Sequence, residues 1–315
     1  MKCFYHVDQD GIVSGFYVRK ACEQRGLDFE PEDFRKINYG MKFPFHDIKQ
    51  DEFVFIVDYS IEPEEMWQLL SITKNVFWID HHQSTIEKYK DFKCDVKGIR
   101  ITGAGISGAN LTWLYFRYMC TANWEQFGKT DEKNVKSLLN IHGVEIPKLA
   151  KYTAMWDTFS WDEVSEEYVR AFHYSFESYD IDAMTKMLNT LDGTDGFYDQ
   201  MNMFDDMIED GLGIMDYLSS DAKRYLRTYG FETTFEGHKA YAINRALINS
   251  DFFESIDASK YDMFIGFSFN GKMWEYQLRS AEQDKVNVYE LAVKYGGGGH
   301  PNAAGFRCDK YVLGV

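Results

Sequence analysis

Three short apolar runs, all within residues 3–84, end in carboxylates and imidazoles. Cys3-Phe4-Tyr5 leads into His6-Val7-Asp8-Gln9-Asp10-Gly11, Phe53 to Val57 into Asp58-Tyr59-Ser60, and Val76 to Ile79 into Asp80-His81-His82-Gln83-Ser84. Each run is too short for a helix and rich in β-branched and aromatic residues, so each reads as a buried strand. In an open α/β sheet the ligand crevice lies beyond the carboxyl ends of the strands. His6, Asp8, Asp10, Asp58, Asp80, His81 and His82 would then meet in one crevice. Taken singly, HVDQDG could be a turn with capping aspartates, and Asp-His-His a strand-end cap beside surface histidines. Taken together, the carboxylates would repel one another without a cation between them, which points to a divalent-metal site with ligands enough for two ions. Histidines among carboxylates make a mixed nitrogen and oxygen site, which suits Mn, Fe, Co or Zn better than Mg.

HVDQDG, VDYS and WIDHHQS, in this order and spacing, resemble the first three motifs of the DHH phosphoesterase superfamily. Leu278-Arg279-Ser280 and the run from Gly296 to Phe306, GGGGHPNAAGF, resemble its partner, the DHH-associated C-terminal domain. The HxDxDG spacing is closer than the HxxPDxD form of other branches and is more similar to the nanoRNase-like and RecJ-like ones. The resemblance implies one ion on His6, Asp8 and Asp58 and another on Asp10, Asp58, His81 and Asp157, with Asp58 bridging. Mn2+ is the expected ion at both. Asp157, in MWDTFSW, is the candidate for a fourth motif, and its plainer reading is a helix N-cap. Asp80 is expected to orient rather than ligate, and His82 to contact the phosphate or steady the attacking water. Two ions roughly 3.5–4 Å apart can clamp the phosphoryl oxygens of an in-line displacement.

The glycine run has a chemistry of its own. Consecutive glycines can present adjacent N–H groups as a nest for an anion, and Arg279 offers a bidentate fork. Arg279, Ser280, Gly297, Gly298, Gly299 and His300 are therefore the expected substrate-binding residues, and the resemblance implies that they hold the non-reacting end of the substrate. The plainer reading is a turn at a helix C-terminus, for which Gly296 alone would be enough.

At 315 residues, 45% of them apolar and 17% aromatic, the chain has material for two cores. The expected class is α/β: residues 1–175 a doubly wound, mainly parallel sheet, 176–230 a helical connector, and 231–315 a smaller α/β domain with the GGGGH motif. A helix is expected over 12–26, ending near Gly26, with others over 108–121, 131–155 and most of 164–229. Strands are expected over 231–249 and 261–279, with a hairpin at Asn270-Gly271 and a helix over 287–295 capped by Asn287. Thr102 to Gly108, TGAGISG, satisfies GxGxxG but is not the first βα turn, so a tight helix start is the preferred reading over a nucleotide loop. The acidic stretch 192–216 lacks the spacing of a calcium loop and reads as a solvated helical face.

No run of 18 apolar residues and no N-terminal signal pattern occurs, so no membrane partner is expected. Cysteines 3, 22, 94, 120 and 308 lack CxxC spacing and read as reduced, mostly buried thiols of a cytoplasmic protein. The net charge of −16 and the lack of a Lys/Arg cluster argue against a protein that tracks long or duplex nucleic acid. The expected function is metal-dependent hydrolysis of short oligonucleotides or dinucleotides to nucleoside monophosphates, in a cleft between the domains. A phosphomonoesterase of the 3′-phosphoadenosine 5′-phosphate type, a RecJ-like single-strand exonuclease and a catalytically silent nucleotide-binding module stay open as alternatives. Self-association as a homodimer also stays open.

Overall fold

The computed structural model describes residues 1–92, 96–103, 105–126, 133, 135, 146–161, 164–178, 181–191, 197–249 and 251–314. The chain divides into two compact units, Met1–Leu212 and Gly213–Val315.

The first unit is built on four parallel strands: β1 (Lys2–His6), β2 (Phe34–Ile37), β3 (Val54–Val57) and β4 (Val76–Ile79), in the order β2-β1-β3-β4. The chain moves from β1 to β2 on one side, then crosses to β3 on the other, so the order reverses between β1 and β3. That switch point is where an open α/β sheet leaves a crevice. Alternate side chains of each strand enter two different cores. Cys3, Phe55, Val57, Phe77 and Ile79 pack with Val18 and Ala21 of α1 (Gln9–Arg25) and with Leu111 and Leu114 of α4 (Gly108–Leu114). Phe4, Ile56 and Trp78 pack on the other face with Met66, Leu69 and Leu70 of α2 (Pro63–Ile72). Both faces are covered, which is why the strands read as unbroken apolar runs rather than alternating ones. Helix α1 begins three residues earlier than its apolar periodicity indicates, because Asp8 caps it by accepting from the Gly11 N–H; it ends at Gly26, at φ 64°.

A third helical layer follows. The short α3 (Gln83–Lys88) comes directly after His82. Helix α4 passes into a π-helical turn, Tyr115–Met119. Most of the helix expected over 131–155 lies outside the described residues; its end is α5 (Lys148–Asp157). Helices α6 (Glu166–Ser178), α7 (Ile181–Leu191) and the 33-residue α8 (Phe197–Tyr229) complete the expected helical stretch. The connector expected over 176–230 is divided between the two units. Met187, Leu188, Leu191, Phe204 and Met207 share a core with Val13, Tyr152 and Phe172, so its first part belongs to the first unit, and the division falls within α8.

The second unit carries a mixed six-stranded sheet in the order β5-β6-β7-β8-β10-β9. Its strands are β5 (Phe231–Phe235), β6 (His238–Asn244), β7 (Met263–Phe269), β8 (Trp274–Ser280), β9 (Gly298–His300) and β10 (Ala303–Cys308). β6 and β7 are parallel and the other pairs antiparallel. The β7–β8 hairpin turns at the expected Asn270-Gly271, though through four residues. The Asn270 side chain accepts from the N–H groups of Lys272 and Met273. Helix α9 (Val288–Lys294), capped by Asn287, lays Val288, Leu291 and Ala292 on the sheet. Cys3, Cys22 and Cys120 are buried and free and Cys308 is half-buried, whereas Cys94 lies outside the described residues. Among the described residues no helix is long and apolar enough to cross a membrane.

Candidate metal centre

β1, β3 and β4 each stop at the crevice and hand over a polar residue. β1 ends on His6, and the turn into α1 supplies Asp8 and Asp10. β3 is followed by Asp58 at φ 52°, an unusual backbone for an aspartate, which turns its carboxylate across the strand ends. β4 is followed by Asp80, His81 and His82. Asp157 is the last residue of α5; it ends a helix instead of capping the start of one.

These residues form two adjacent groups. His6, Asp8 and Asp58 can place ligand atoms within 4.8 Å of one another, as can Asp10, His81 and Asp157. The His81 Nε2 joins the groups: it lies 3.2 Å from Asp58 Oδ1, 3.4 Å from Asp157 Oδ2 and 3.6 Å from Asp10 Oδ2. Yet His81 Nε2 and Asp58 Oδ1 are both buried without a hydrogen-bond partner. Buried polar atoms are nearly always paired. Orphaned donor atoms facing a ring of carboxylate oxygens fit a divalent cation, and the nitrogen and oxygen donor set fits a transition metal. A third grouping, Asp58, His81 and His82, is equally compact.

The electrostatics agree. Burial, then Asp10, Asp8, Asp80 and Asp157, push the Asp58 carboxyl well above its usual range. Burial, then Asp10 and Asp8, raise Asp157 to about 8. Burial also works to raise Asp8, but its bonds to His6 and to the Gly11 N–H outweigh it and the carboxyl is lowered. Without a cation, this much negative charge is relieved only by holding protons.

Neighbouring groups orient the ligands. Asp80 is fully buried; its Oδ1 accepts from the His81 N–H at 2.8 Å, the His82 N–H at 3.3 Å and His82 Nδ1 at 2.7 Å, and its Oδ2 from Ser60. Both oxygens are committed to these donors, three of which belong to His81 and His82. Burial opposes the charge on His82, but Asp80 outweighs it and the imidazole pKa is raised. The Asp10 carboxylate accepts from the N–H groups of Gly108 at 2.7 Å and Ala109 at 2.9 Å, the first turn of α4. TGAGISG is therefore a helix start, N-capped by Ser107, and its partner is Asp10. Gly108 also lies against Asp58: a Cβ there would stand 2.5 Å from the Asp58 Cβ.

Some of this surround is missing from the sequence reading. Asn38, just beyond β2, places its Oδ1 3.3 Å from His6 Nε2, leaving His6 Nδ1 toward Asp8 and Asp58. β2, with the sequence FRKI, has no apolar run to announce it. Gln9, between Asp8 and Asp10, bonds to Thr153 and His173, 144 and 164 residues away.

Arg279, Ser280, Gly297, Gly298, Gly299 and His300 all lie in the second unit, on β8, β9 and the turn before β9. Their arrangement differs from an open fork and a nest. Arg279 spends Nη1 on the Leu278 carbonyl at 2.9 Å and Nη2 on the Ile248 carbonyl at 3.1 Å. The Ser280 hydroxyl donates to the Glu282 carbonyl. Gly296 and Gly297 close α9 in a Schellman turn, their N–H groups reaching the carbonyls of Val293 and Ala292. Gly298 to His300 then pair with β10. Helix closure and strand pairing absorb amides that a nest would have aimed at a ligand.

No family model matches the sequence, and no curated protein matches it. Solved structures do match the fold. The pGpG-specific phosphodiesterase PggH from Vibrio cholerae aligns at TM-score 0.53 and 12% identity, over 98% of this chain and 94% of its own. RecJ from Thermus thermophilus, in complex with Mn2+, aligns at TM-score 0.51 and 14% identity over 98% of this chain; the chain spans about half (49%) of that protein. The fold, a parallel-sheet unit followed by a mixed α/β unit, is shared with these two proteins and is of the expected α/β class.

Proposed function

We propose that this protein is a metal-dependent phosphoesterase that hydrolyses short oligonucleotides and dinucleotides to nucleoside monophosphates. One cation would be held by His6, Asp8 and Asp58 and the other by Asp10, Asp58, His81 and Asp157, with Mn2+ the expected ion. The observation that carries this reading is the buried pair His81 Nε2 and Asp58 Oδ1, without hydrogen-bond partners where the two groups meet. Bound cations at such a centre supply Lewis-acid polarisation of a phosphoryl group and activation of water.

The chain's own groups supply the rest. Asp80 takes the Nδ1–H of His82, so the opposite ring nitrogen is left for a phosphoryl or leaving-group oxygen. The raised pKa of His82 suits donation of a proton near neutral pH. The Gly108 and Ala109 amides fix the Asp10 carboxylate. Arg279, Ser280, Gly297, Gly298, Gly299 and His300 are assigned to the non-reacting end of the substrate. Likeness to PggH, a pGpG-specific phosphodiesterase, supports a dinucleotide, and the net charge of −16 supports a substrate with few phosphates.

The test compares a dinucleotide with a single strand of about 24 nucleotides, with Mn2+, at two salt concentrations. The dinucleotide should be cleaved faster, with a shallow salt slope. Faster, strongly salt-sensitive degradation of the long strand would replace this reading with a single-strand exonuclease.

A further inference from the structure

The turn that follows Asp157 keeps a conformation that a different residue would adopt at less cost. α5 closes in a Schellman turn: the Ser160 N–H donates to the Met155 carbonyl at 3.1 Å and the Phe159 N–H to the Trp156 carbonyl at 3.3 Å. The left-handed position of such a turn is usually glycine, which has no Cβ to clash. Here it is Phe159, at φ 48°. Burial does not compensate, since Phe159 is 71% exposed. Neither the turn nor the core explains a phenyl ring at this position, and backbone outliers of this kind gather at functional sites.

The ring is not isolated. Its centroid lies 5.9 Å from that of Trp156, tilted at 40°, and 6.2 Å from that of Trp161, which meets it edge to face at 85°. Trp156 is itself stacked on His173, at 3.9 Å and 16°. Burial holds the His173 imidazole neutral, down at about 4, and its Nδ1 is bonded to Gln9 at 2.7 Å. This cluster is tied to the metal centre at several points. Gln9 lies between Asp8 and Asp10, and Trp156 immediately precedes Asp157. The Thr158 hydroxyl accepts from the Gly105 N–H at 3.1 Å, joining the turn to the loop before α4.

We propose that the exposed ring of Phe159, buttressed by Trp156 and Trp161, is a stacking shelf for a nucleobase, that of the nucleotide whose phosphate reaches the metal centre. This rests on the nucleotide reading above. A base suits the shelf because it is flat and joined to its phosphate by one sugar, so a shelf flanking a metal ligand lies within its reach. A docked protein would need a broad apolar patch, and here only Phe159 is strongly exposed, with Trp156 and Trp161 half-buried. Stacking is tolerant of base identity, so the shelf should favour purines over pyrimidines only by ring area.

The variant Phe159→Gly removes the ring and relieves the backbone, so its melting temperature should equal or exceed that of the parent. The readout is the ratio of kcat/KM for a dinucleotide to that for its counterpart lacking one base, each base being removed in turn. For one of the two positions this ratio should fall about ten-fold or more, mainly through KM. Phe159→Trp should restore it. Ratios at both positions that ignore Phe159→Gly, while the parent still cleaves dinucleotides, would overturn the shelf and leave the hydrolase reading standing. Should the parent cleave no dinucleotide, quenching of tryptophan fluorescence by a nucleoside monophosphate against ribose 5-phosphate decides. Tighter binding of the nucleotide that is lost in Phe159→Gly would keep the shelf and reject the hydrolase, and binding indifferent to Phe159 would reject the shelf.

Discussion

Stripping the protein of divalent cations and raising the pH should lower the temperature at which its first unit melts. Asp58 and Asp157 carry the effect, since burial and neighbouring carboxylates raise both above an ordinary aspartate, Asp157 to about 8. A group raised in the folded state contributes its full stability below the unfolded pKa and loses it as pH climbs through the folded one. From about pH 6.5 to 8 the unfolded aspartate has long been ionised while folded Asp157 still holds its proton. Across about one and a half pH units, at about 1.4 kcal/mol each, Asp157 alone gives up about 2 kcal/mol. For a unit of about 200 residues that is about 4–8 °C. Asp58 adds to it in the same direction, as do His6 and His82, both raised by carboxylate partners. Asp8 and Asp80 are lowered, so their titration is over before this window opens, whereas His173, down at about 4 when folded, still sheds unfolded-state protons at its lower edge and opposes the loss by only about 0.4 kcal/mol. The assay is thermal melting at three pH values, with chelator and with Mn2+. Metal binding displaces protons, so the loaded protein should hold level or gain stability as pH rises. A metal-free melting temperature that is flat or rising over the window would mean that these carboxylates are not compressed together in solution, and the argument for the metal centre would fail with it.

Asp58→Asn should reduce bound metal at both positions, whereas Asp157→Asn should leave one ion tightly held; two ions retained in purified Asp58→Asn would refute the bridging role. In the glycine run, Gly299→Ala should destabilise the second unit by about 1–3 kcal/mol, because at φ 139° its Cβ would stand 2.5 Å from the Ala303 carbonyl oxygen. A Cβ on Gly298 would meet nothing within 4 Å, so Gly298→Ala should melt normally yet lose about ten- to a hundred-fold in kcat/KM if a ligand must approach that backbone. Unimpaired turnover in Gly298→Ala would take the run out of the substrate site.

What could be read in advance followed the strength of the local signal. β1, β3 and β4 are unbroken apolar runs because both faces of the sheet are covered, and their polar ends stand out against them. Gly26 and Asn287 punctuate helices by backbone chemistry that acts over a few residues. β2 escaped because an edge strand with the sequence FRKI carries no periodicity, and Asn38 escaped with it. TGAGISG could be recognised as a helix start, but not that its amides serve Asp10, 98 residues earlier. GGGGH was read as one device because adjacent glycines look alike in sequence. In the fold, Gly296 and Gly297 close a helix, the first of them at φ 75°, Gly299 clears a neighbouring strand, and Gly298 has room for a side chain on an ordinary backbone.

The contact of Gly108 with Asp58 bears on how this gene can drift. The first residue of α4 occupies the space in which a methyl group would push against Asp58, the aspartate proposed to bridge the two cations. Replacing Gly108 by alanine, a single-nucleotide change in any glycine codon, would ask little of a helix interior, and no sequence-based tolerance scale would flag it. In this fold it would displace the Asp58 carboxylate while leaving every proposed ligand unchanged in sequence. On the proposed function, a descendant copy could display the full set of histidines and aspartates and still be inactive, so position 108 has to be read together with the ligand motifs.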